Sequence, residues 1–307
     1  MFAYLAPEKF LPELLQELKS VEAVYGNLVL TNGPLQESIW AQCIWHDVEI
    51  FKFESIGEAS RYLKSHGKVW CNYPTDNHRR AQLIQEQLPK LKPKVIDFLA
   101  PLPNTELGAW CLIDRNTLLA APRTNSVFPL GEIQFNEDKK IPPSRAYLKL
   151  WEFFTVYGIK PQKGERVVDF GSCPGGWTWV LQSIGCNVVS IDRAPLAEHI
   201  ARLPRIEFIK TNAFTIKPED IGKIDWFFSD IICYPEKLYT LIRQWQESGL
   251  CQNFVCTIKF QGKTDFEALA KFKELDNAKI IHLHHNKHEV TLWIRTSSAS
   301  SANLKKN

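Results

Sequence analysis

The sequence predicts an α/β protein in which a doubly wound parallel sheet with a terminal antiparallel hairpin follows a smaller α+β domain. Short apolar segments alternate with helical segments in the second half of the chain, which is typical of a parallel sheet covered on both faces. The last two strand-like segments are separated by too few residues for a crossover helix, which favours an antiparallel pair. The chain has 307 residues, enough for two domains of ordinary size.

The second half carries the clearer pattern of elements. Five short apolar segments are predicted as its strands: Arg166–Phe170, Asn187–Ile191, Arg205–Lys210, Asp225–Ser229 and Asn253–Ile258. Helices are predicted at Gly176–Ser183, Pro235–Gln246 and Asp265–Leu275, the last with Thr264 as its N-cap. The antiparallel pair is predicted to join Lys279–His284 to Val290–Arg295.

The first half mixes both kinds of element without a regular order, so residues 1–130 are predicted as an α+β domain. Strands are expected at Ala3–Leu5, Val24–Leu30, Ile39–Trp45, Glu49–Phe53 and Val69–Asn72, with a hairpin of Trp110–Ile113 and Thr117–Ala121. Helices are expected at Gly57–Lys64, with Ser55 as cap and Gly67 as stop, and at Arg79–Gln87. The polar, proline-ended stretch 131–143 is predicted as a linker, 144–296 as the second domain and 297–307 as a disordered tail.

Composition excludes several classes of protein. Hydrophobic residues make up 45% and charged residues 23% of the chain, as in globular proteins. A net charge of +3 is too small for a dedicated sequence-blind DNA binder. No apolar run approaches the ~18 residues of a membrane helix, and the early Glu8 argues against a signal peptide. Eight cysteines without a CxxC pair are typical of reduced thiols, so we expect a cytoplasmic protein.

The glycine-rich segment Val167–Trp177 (VVDFGSCPGGW) follows a predicted strand and opens a helix. Glycines in such a loop let the backbone turn tightly and approach a ligand closely. Asp192 ends the next strand, where a carboxylate can accept the hydroxyls of an adenosine ribose. The spacing GxxxGG differs from the GxGxxG of dinucleotide folds. The segment therefore predicts a nucleoside cofactor, and a tight turn without a ligand is the alternative.

Asp169–Trp177 resembles the S-adenosylmethionine loop (DxGxxPGGW) of FtsJ-like ribose methyltransferases. The segments PPSRAYLKL (142–150), DFGSCPGGWTWVL (169–181) and HEVTLWIR (288–295) resemble the RlmM-like enzymes, which 2′-O-methylate a cytidine of bacterial 23S rRNA. The resemblance covers residues 120–296. The N-terminal domain resembles that family's THUMP-like RNA-binding domain in position and general pattern.

This resemblance implies a Rossmann-like class I methyltransferase domain that uses S-adenosyl-L-methionine. It implies RNA, specifically 23S rRNA, as the partner, and we expect no DNA, membrane or metal. The cofactor residues that it implies are Asp169, Gly171, Cys173, Pro174, Gly175, Gly176, Trp177, Asp192, Asn212 and Asp230.

FtsJ-like enzymes carry a Lys-Asp-Lys-Glu set, and the resemblance places it at Lys149, Asp230, Lys259 and Glu289. A ribose 2′-hydroxyl must lose its proton as it attacks a sulfonium methyl, and a lysine serves as base only if its pKa falls toward the working pH. Burial and a nearby Lys149 would both disfavour the charged form of Lys259. The two carboxylates oppose that change, so their expected role is to position the lysines and offset their charge.

Two alternatives stay open from the sequence. Cys233 stands three residues after Asp230, the spacing of the nucleophile in RNA cytosine-5 methyltransferases, although Asp230-Ile-Ile-Cys233 lacks the proline before the cysteine. A non-catalytic RNA-binding factor that keeps the fold is the other alternative. The four histidines near the last hairpin predict a polar hairpin end rather than a metal site: His282, His284, His285 and His288.

Overall fold

The computed structural model describes residues 1–92 and 94–295 and divides into two units, Met1–Glu137 and Asp138–Asn307. The division falls inside the stretch that the sequence predicts as a linker. The predicted tail, 297–307, lies outside the described residues. Within the described ranges, no helix is both long and apolar enough to cross a bilayer.

The N-terminal unit combines eleven strands and three α-helices over the part that the structure describes. The strands are β1 (Phe2–Leu5), β2 (Val21–Tyr25), β3 (Leu28–Thr31), β4 (Cys43–His46), β5 (Glu49–Lys52), β6 (Trp70–Asn72), β7 (Val95–Ile96), β8 (Gly108–Leu112), β9 (Thr117–Ala121), β10 (Arg123–Thr124) and β11 (Gln134–Phe135). The helices are α1 (Leu11–Glu17), α2 (Ile56–His66) and α3 (His78–Gln85).

Two sheets, in the orders β10-β4-β1-β3-β2 and β5-β9-β8-β6, form the body of this unit. Side chains of β8 alternate between two cores: Ala109 and Cys111 pack with the five-stranded sheet, whereas Trp110 and Leu112 pack with α2 and α3. Because both faces of β8 and β9 are covered, these strands are apolar except for Thr117 and do not alternate with polar residues.

The end signals of α2 are confirmed. The Ser55 side chain accepts the Glu58 amide, and the helix stops at Gly67. The single strand predicted at Val24–Leu30 is wrong, since β2 and β3 are separate antiparallel strands and the chain reverses at Gly26, whose φ is +61°.

Two further predictions for this unit need correction. Of the strand predicted at Ile39–Trp45, only the end is in β4. Part of the predicted linker is structured, because β11 pairs with β7 and the side chains of Ile133 and Phe135 are buried. The burial of these two apolar side chains holds an otherwise polar stretch against the N-terminal unit.

The C-terminal unit is a seven-stranded sheet with six α-helices in its described part. The strands are β12 (Arg166–Phe170), β13 (Asn187–Asp192), β14 (Ile206–Lys210), β15 (Trp226–Ser229), β16 (Asn253–Lys259), β17 (Ala278–Ile281) and β18 (Glu289–Arg295). The helices are α4 (Tyr147–Tyr157), α5 (Gly176–Ser183), α6 (Glu198–Ala201), α7 (Pro218–Ile221), α8 (Pro235–Ser248) and α9 (Phe266–Lys273).

The sheet order is β14-β13-β12-β15-β16-β18-β17. Strands β12 to β16 run parallel, and β18 is antiparallel to both β16 and β17. The doubly wound sheet with a terminal antiparallel hairpin is therefore confirmed. One cap differs from the prediction: Asp265, not Thr264, caps α9 by accepting the Ala268 amide at 2.8 Å, while the Thr264 hydroxyl lies 2.9 Å from His288 Nε2.

Helix α4 precedes the sheet and is buried on nearly every side. Such a helix shows little of the amphipathic period by which a surface helix is recognised. It ends at Gly158, which has a left-handed φ of +64°. Two charged residues, Lys149 and Glu152, are buried on it, and both take part in the site described below.

Candidate active site

A cavity of about 990 Å³ lies at the carboxyl edge of the parallel strands. Each strand from β12 to β16 contributes a lining residue at or just past its last position: Gly171, Asp192, Asn212, Asp230 and Lys259. Open α/β sheets bind ligands at this edge, because the loops there diverge to either side of the sheet. The fold therefore brings together residues from both predicted sets, cofactor and catalytic.

The Asp192 carboxylate is held rigidly at one side of this cavity. Its Oδ2 accepts the Cys173 amide at 3.0 Å and its Oδ1 accepts the Ala194 amide at 3.0 Å. Nearby, Asn212 Oδ1 accepts the Phe214 amide at 3.3 Å. Two loop amides thus fix the orientation of an acceptor at the end of β13, where a ribose diol can bind.

Five of the ten predicted cofactor residues line the cavity: Gly171, Cys173, Asp192, Asn212 and Asp230. The other five belong to β12, the glycine loop and the first turn of α5: Asp169, Pro174, Gly175, Gly176 and Trp177. Their contacts show that they shape the glycine loop and hold it against the neighbouring elements.

The glycines are required by the packing of the chain on itself. A Cβ atom on Gly171, whose φ is +75°, would lie 2.7 Å from the Ile231 Cα. One on Gly175, whose φ is +113°, would lie 2.8 Å from Ile200 Cγ2. The sequence suggested close approach to a ligand, and the structure adds close approach to the neighbouring backbone and to α6.

Asp169 lies beneath the loop rather than in the cavity wall. Its side chain is fully buried, and Oδ2 accepts the Thr178 hydroxyl at 2.7 Å. Thr178 Oγ1 is also 2.8 Å from Ser190 Oγ. Asp169 Oδ1 has no hydrogen-bond partner among the described residues, and burial raises the pKa of this carboxyl to about 7. Through Thr178, Asp169 therefore connects β12 to α5 and β13 beneath the glycine loop.

Trp177 connects the glycine loop to α4. Its indole N–H donates to the Ala146 carbonyl at 3.0 Å, and its ring lies edge-on to Phe228 with the centroids 6.3 Å apart. The Lys149 ammonium lies 5.9 Å from the centre of the same ring, within the range of a cation–π contact. The tryptophan thus links the glycine loop to α4 and to Lys149.

The four predicted catalytic residues form one compact cluster. Lys149 Nζ donates to Asp230 Oδ1 at 2.6 Å and to Glu289 Oε1 at 2.8 Å. Lys259 Nζ donates to the Asp230 carbonyl at 2.5 Å, and lies 3.0 Å from Asp230 Oδ1 and 3.9 Å from Glu289 Oε2. Two ammonium groups and two carboxylates balance in charge.

The mutual pairing in this cluster outweighs its burial. Burial alone would lower the pKa of Lys149, but the carboxylates of Asp230 and Glu289 raise it above its usual value. Burial likewise opposes ionisation of Asp230, yet the two ammonium groups hold the pKa of that carboxyl below its usual range. Lys149 is therefore a fixed cation behind the cavity, while Lys259 lines it.

Supporting residues complete the cluster, and the sequence did not single them out. Thr257 donates its hydroxyl to Asp230 Oδ1 at 2.6 Å. Asn286 lies 3.4 Å from Glu289 Oε1 through Nδ2, and its Oδ1 accepts the Leu283 amide at 2.7 Å. Thr257 was open to inference, because it shares a strand face with Lys259 two residues on. No sequence signal marks Asn286.

Glu152 of α4 anchors the turn between β17 and β18. Its carboxylate accepts the amides of His284 and His285 at 2.8 and 2.9 Å, and its Oε2 lies 2.7 Å from His285 Nδ1. His282 Nε2 lies 3.0 Å from the Lys287 carbonyl. Across residues 1–92 and 94–295, no group of three or more His, Cys, Asp and Glu side chains is arranged to hold a metal ion.

The Cys233 thiol lines the cavity, but its surroundings disfavour the thiolate form. Burial raises its pKa to about 11, although Lys259 acts in the opposite direction. The thiolate is the reactive form of cysteine, and at neutral pH it is therefore scarce at this position. The structure gives no support to the cysteine-based alternative.

Residues 142–298 match the family model described as FtsJ-like methyltransferase. The chain belongs to the FtsJ-like methyltransferase family. The match confirms the resemblance carried by the glycine loop and by the flanking segments, and S-adenosylmethionine is the cofactor that goes with it. The cavity fits this cofactor: its volume falls within the ~300–1,000 Å³ of small-molecule sites, and a fixed carboxylate stands at the β13 end.

Curated relatives match about half of this chain. Ribosomal RNA large subunit methyltransferase M of Thauera aminoaromatica is 30% identical over 189 residues, covering 56% of this chain and 51% of the relative. The protein of the same name from Histophilus somni (strain 2336) is 32% identical over 171 residues, covering 50% and 47%. The chain thus spans about half the length of the curated relatives it matches.

Solved structures show more distant likeness. TrmN from Thermus thermophilus aligns with a TM-score of 0.39 at 11% identity, covering 96% of this chain and 99% of that one. Magnesium protoporphyrin IX methyltransferase from Synechocystis PCC 6803 aligns with a TM-score of 0.36 at 13% identity, covering 49% and 78%.

Proposed function

We propose that this protein transfers a methyl group from S-adenosylmethionine to a ribose 2′-hydroxyl of RNA, specifically of a cytidine in 23S rRNA. The observation that carries the proposal is the cluster at the end of the cavity. Lys259 lines the cavity wall, while Lys149 and Glu289 are buried and hold Asp230 and Lys259 in place. Such a cluster suits proton transfer from a hydroxyl better than attack on a base.

Bound S-adenosylmethionine supplies an electrophilic methyl group on a sulfonium. An ammonium has three N–H donors, and two of those of Lys259 are directed to the carbonyl and carboxylate oxygens of Asp230. The third position is left for a hydroxyl in the cavity. In its neutral form, Lys259 Nζ has a lone pair there that accepts the 2′-hydroxyl proton as the oxygen attacks. Fixing Nζ in this way also orients the hydroxyl for in-line transfer.

The name of the curated relatives, ribosomal RNA large subunit methyltransferase M, supports large-subunit rRNA as the substrate. We assign RNA binding to the N-terminal unit, in line with its THUMP-like position before the methyltransferase domain. A ribosomal substrate supports a cytoplasmic location for the proposed reaction.

The proposal is tested by measuring the transfer of labelled methyl groups to large-subunit rRNA. Variants of two cavity residues, Lys259 and Cys233, are compared with the wild type. Lys259→Ala removes the base and is expected to slow transfer by about 100- to 10,000-fold. Cys233→Ala removes a buried thiol and is expected to keep near-normal turnover. Lys259→Arg separates two roles, because arginine keeps the positive donor but does not deprotonate. Survival of activity in Lys259→Arg would make this lysine a positioning group.

Thermal unfolding of each variant is the control for folding. The opposite pattern, an inactive Cys233→Ala beside an active Lys259→Ala, would replace ribose methylation with methylation of the base. Alkaline hydrolysis of the product gives an independent readout, since a methyl group on the 2′-oxygen prevents cleavage at its own nucleotide and a methyl group on the base does not.

A further inference from the structure

A second cavity, of about 490 Å³, lies within the N-terminal unit at the start of α3. We call it the basic cleft. Its lining includes four basic residues, one acidic residue and the N-cap residue of α3: His78, Arg79, Arg80, Arg115, Asp76 and Asn77. Three guanidinium groups therefore face one carboxylate, in a chain whose net charge is only +3.

Arg80 forms the rigid part of the cleft. Its guanidinium carbon lies 5.2 Å from the centre of the Phe53 ring, and its Nη2 donates to Asn116 Oδ1 at 3.1 Å. Its Nε is buried and has no hydrogen-bond partner within the described part of the chain. Arg80 is therefore held by contacts inside the domain, while Arg79 and Arg115 beside it are exposed.

The start of α3 adds to the positive character of this cleft. The Asn77 side chain at the N-cap makes no capping hydrogen bond among the described residues, and the first turn carries His78, Arg79 and Arg80. The N-terminal turn of a helix presents amide donors and the positive end of the helix dipole. Anions are stabilised at such an end, here next to three guanidinium groups.

Arg79 and Arg115 are exposed at the mouth of the cleft, and they come from α3 and from the turn between β8 and β9. A guanidinium presents paired N–H donors that match two oxygens of a phosphate. A protein of low net charge that binds nucleic acid must concentrate its basic groups locally, because phosphate contacts supply most of the affinity. The basic cleft is such a concentration.

We propose that the basic cleft binds backbone phosphates of the RNA substrate. The proposal rests on the proposed function, and it gives the N-terminal unit a defined contact with RNA. It requires Arg79 and Arg115 to contact phosphates directly, with Arg80 as the fixed group between the cleft and the domain core.

Fluorescence anisotropy of the full chain with a labelled single-stranded oligoribonucleotide tests this assignment. Arg79→Gln/Arg115→Gln removes two exposed charges and leaves Arg80 in place. Lys9→Gln/Lys19→Gln is the matched control, because it removes two exposed charges from the same unit away from the cleft. At low salt the arginine variant is expected to bind about tenfold more weakly, with the slope of log affinity against log salt reduced by about 0.7 per lost contact. The lysine variant is expected to bind like the wild type.

Equal losses in both double variants would show general electrostatic attraction and overturn the assignment. Unchanged affinity of the arginine variant, or no binding by the wild type, would overturn it as well. Titration with inorganic phosphate at constant ionic strength distinguishes a small anion: phosphate binding that the arginine variant loses while RNA affinity is unchanged would assign the cleft to a free anion instead. Methyl transfer at saturating RNA is measured separately, so that failure of the proposed function shows as no transfer by the wild type.

Discussion

Lys149 is the buried cation on which the catalytic cluster depends, and Lys149→Met tests that dependence. Methionine keeps much of the length of the side chain and removes its charge. The ammonium lies 2.6 Å from Asp230 Oδ1 and 2.8 Å from Glu289 Oε1. At an effective dielectric constant of about 20, each contact is a gross attraction of about 6 kcal/mol, which the desolvation of the ions largely offsets.

Removing one partner of a buried ion pair leaves the other charge uncompensated, which destabilises by about 3–5 kcal/mol. In the wild type, the other ammonium, that of Lys259, lies 3.0 Å from Asp230 Oδ1 but 3.9 Å from Glu289 Oε2. Glu289 therefore loses its close cation. For a domain of this size, ~1 kcal/mol lowers the Tm by ~2–4 °C, so a fall of ~6–20 °C is expected.

Scanning calorimetry near neutral pH measures this fall, because both partners are charged there. The raised pKa of Lys149 contributes stability below about pH 10 that is lost as the pH rises through the folded value. The lowered pKa of Asp230 contributes stability above about pH 4 that is lost as the pH falls through the folded value. The gap between wild type and variant is therefore widest between these limits.

Two further variants make the result specific to the pairing. Lys149→Met/Glu289→Gln also neutralises the stranded carboxylate and is expected to recover part of the lost stability. Lys163→Met removes an exposed lysine of the same unit and is expected to change stability by no more than about 0.5 kcal/mol. A Tm for Lys149→Met equal to that of Lys163→Met would refute the reasoning.

Two carboxylates near the cofactor loop give further predictions. Asp192→Ala is expected to weaken S-adenosylmethionine binding by about 1.5–3 kcal/mol, the value of a hydrogen bond to a charged group; calorimetric titration measures it, and unchanged affinity would move the ribose elsewhere. Burial raises the pKa of Asp169 to about 7, so the folded protein binds a proton that the unfolded chain releases, and the contribution of this carboxyl to wild-type stability falls as the pH rises from about 4 to 7. Asp169→Asn lacks this proton, so its stability relative to the wild type should rise between pH 5 and pH 8. Thermal unfolding at both values tests this, and a difference independent of pH would contradict it.

The central strands of the C-terminal unit were predictable because β12, β15 and β16 are short, mostly apolar and buried on both faces. The sequence places β12 at the bounds that the structure has, and it places α5 likewise. Helix α4 was not predicted, because it is buried on nearly every side and therefore lacks an amphipathic period. The α9 cap was misplaced by one residue, since Thr264 and Asp265 are both good N-cap residues and only the geometry decides between them.

The residue types of the catalytic cluster came from the family motif, but its geometry could not come from the sequence. Lys149 and Glu289 are 140 residues apart, and Lys149 and Asp230 are 81 apart. Their meeting depends on how α4 packs at the sheet edge, which no local pattern specifies. The sequence analysis treated Lys149 as a cation that would disfavour the protonated form of Lys259. The structure shows that Lys149 is the counter-ion of two carboxylates.

The reversed direction of β18 has a consequence for how the domain can vary. Every parallel strand brings its last residue to the cavity edge, whereas β18 brings its first, Glu289, directly opposite Lys259 of β16. A shift of one position in this pairing would turn every β18 side chain to the other face. The turn of residues 282–288 sets where β18 begins, and Glu152 fastens that turn to α4. The length of the turn of residues 282–288 thus decides whether the Glu289 carboxylate faces Lys149 and Lys259. We therefore expect this turn to tolerate insertions poorly.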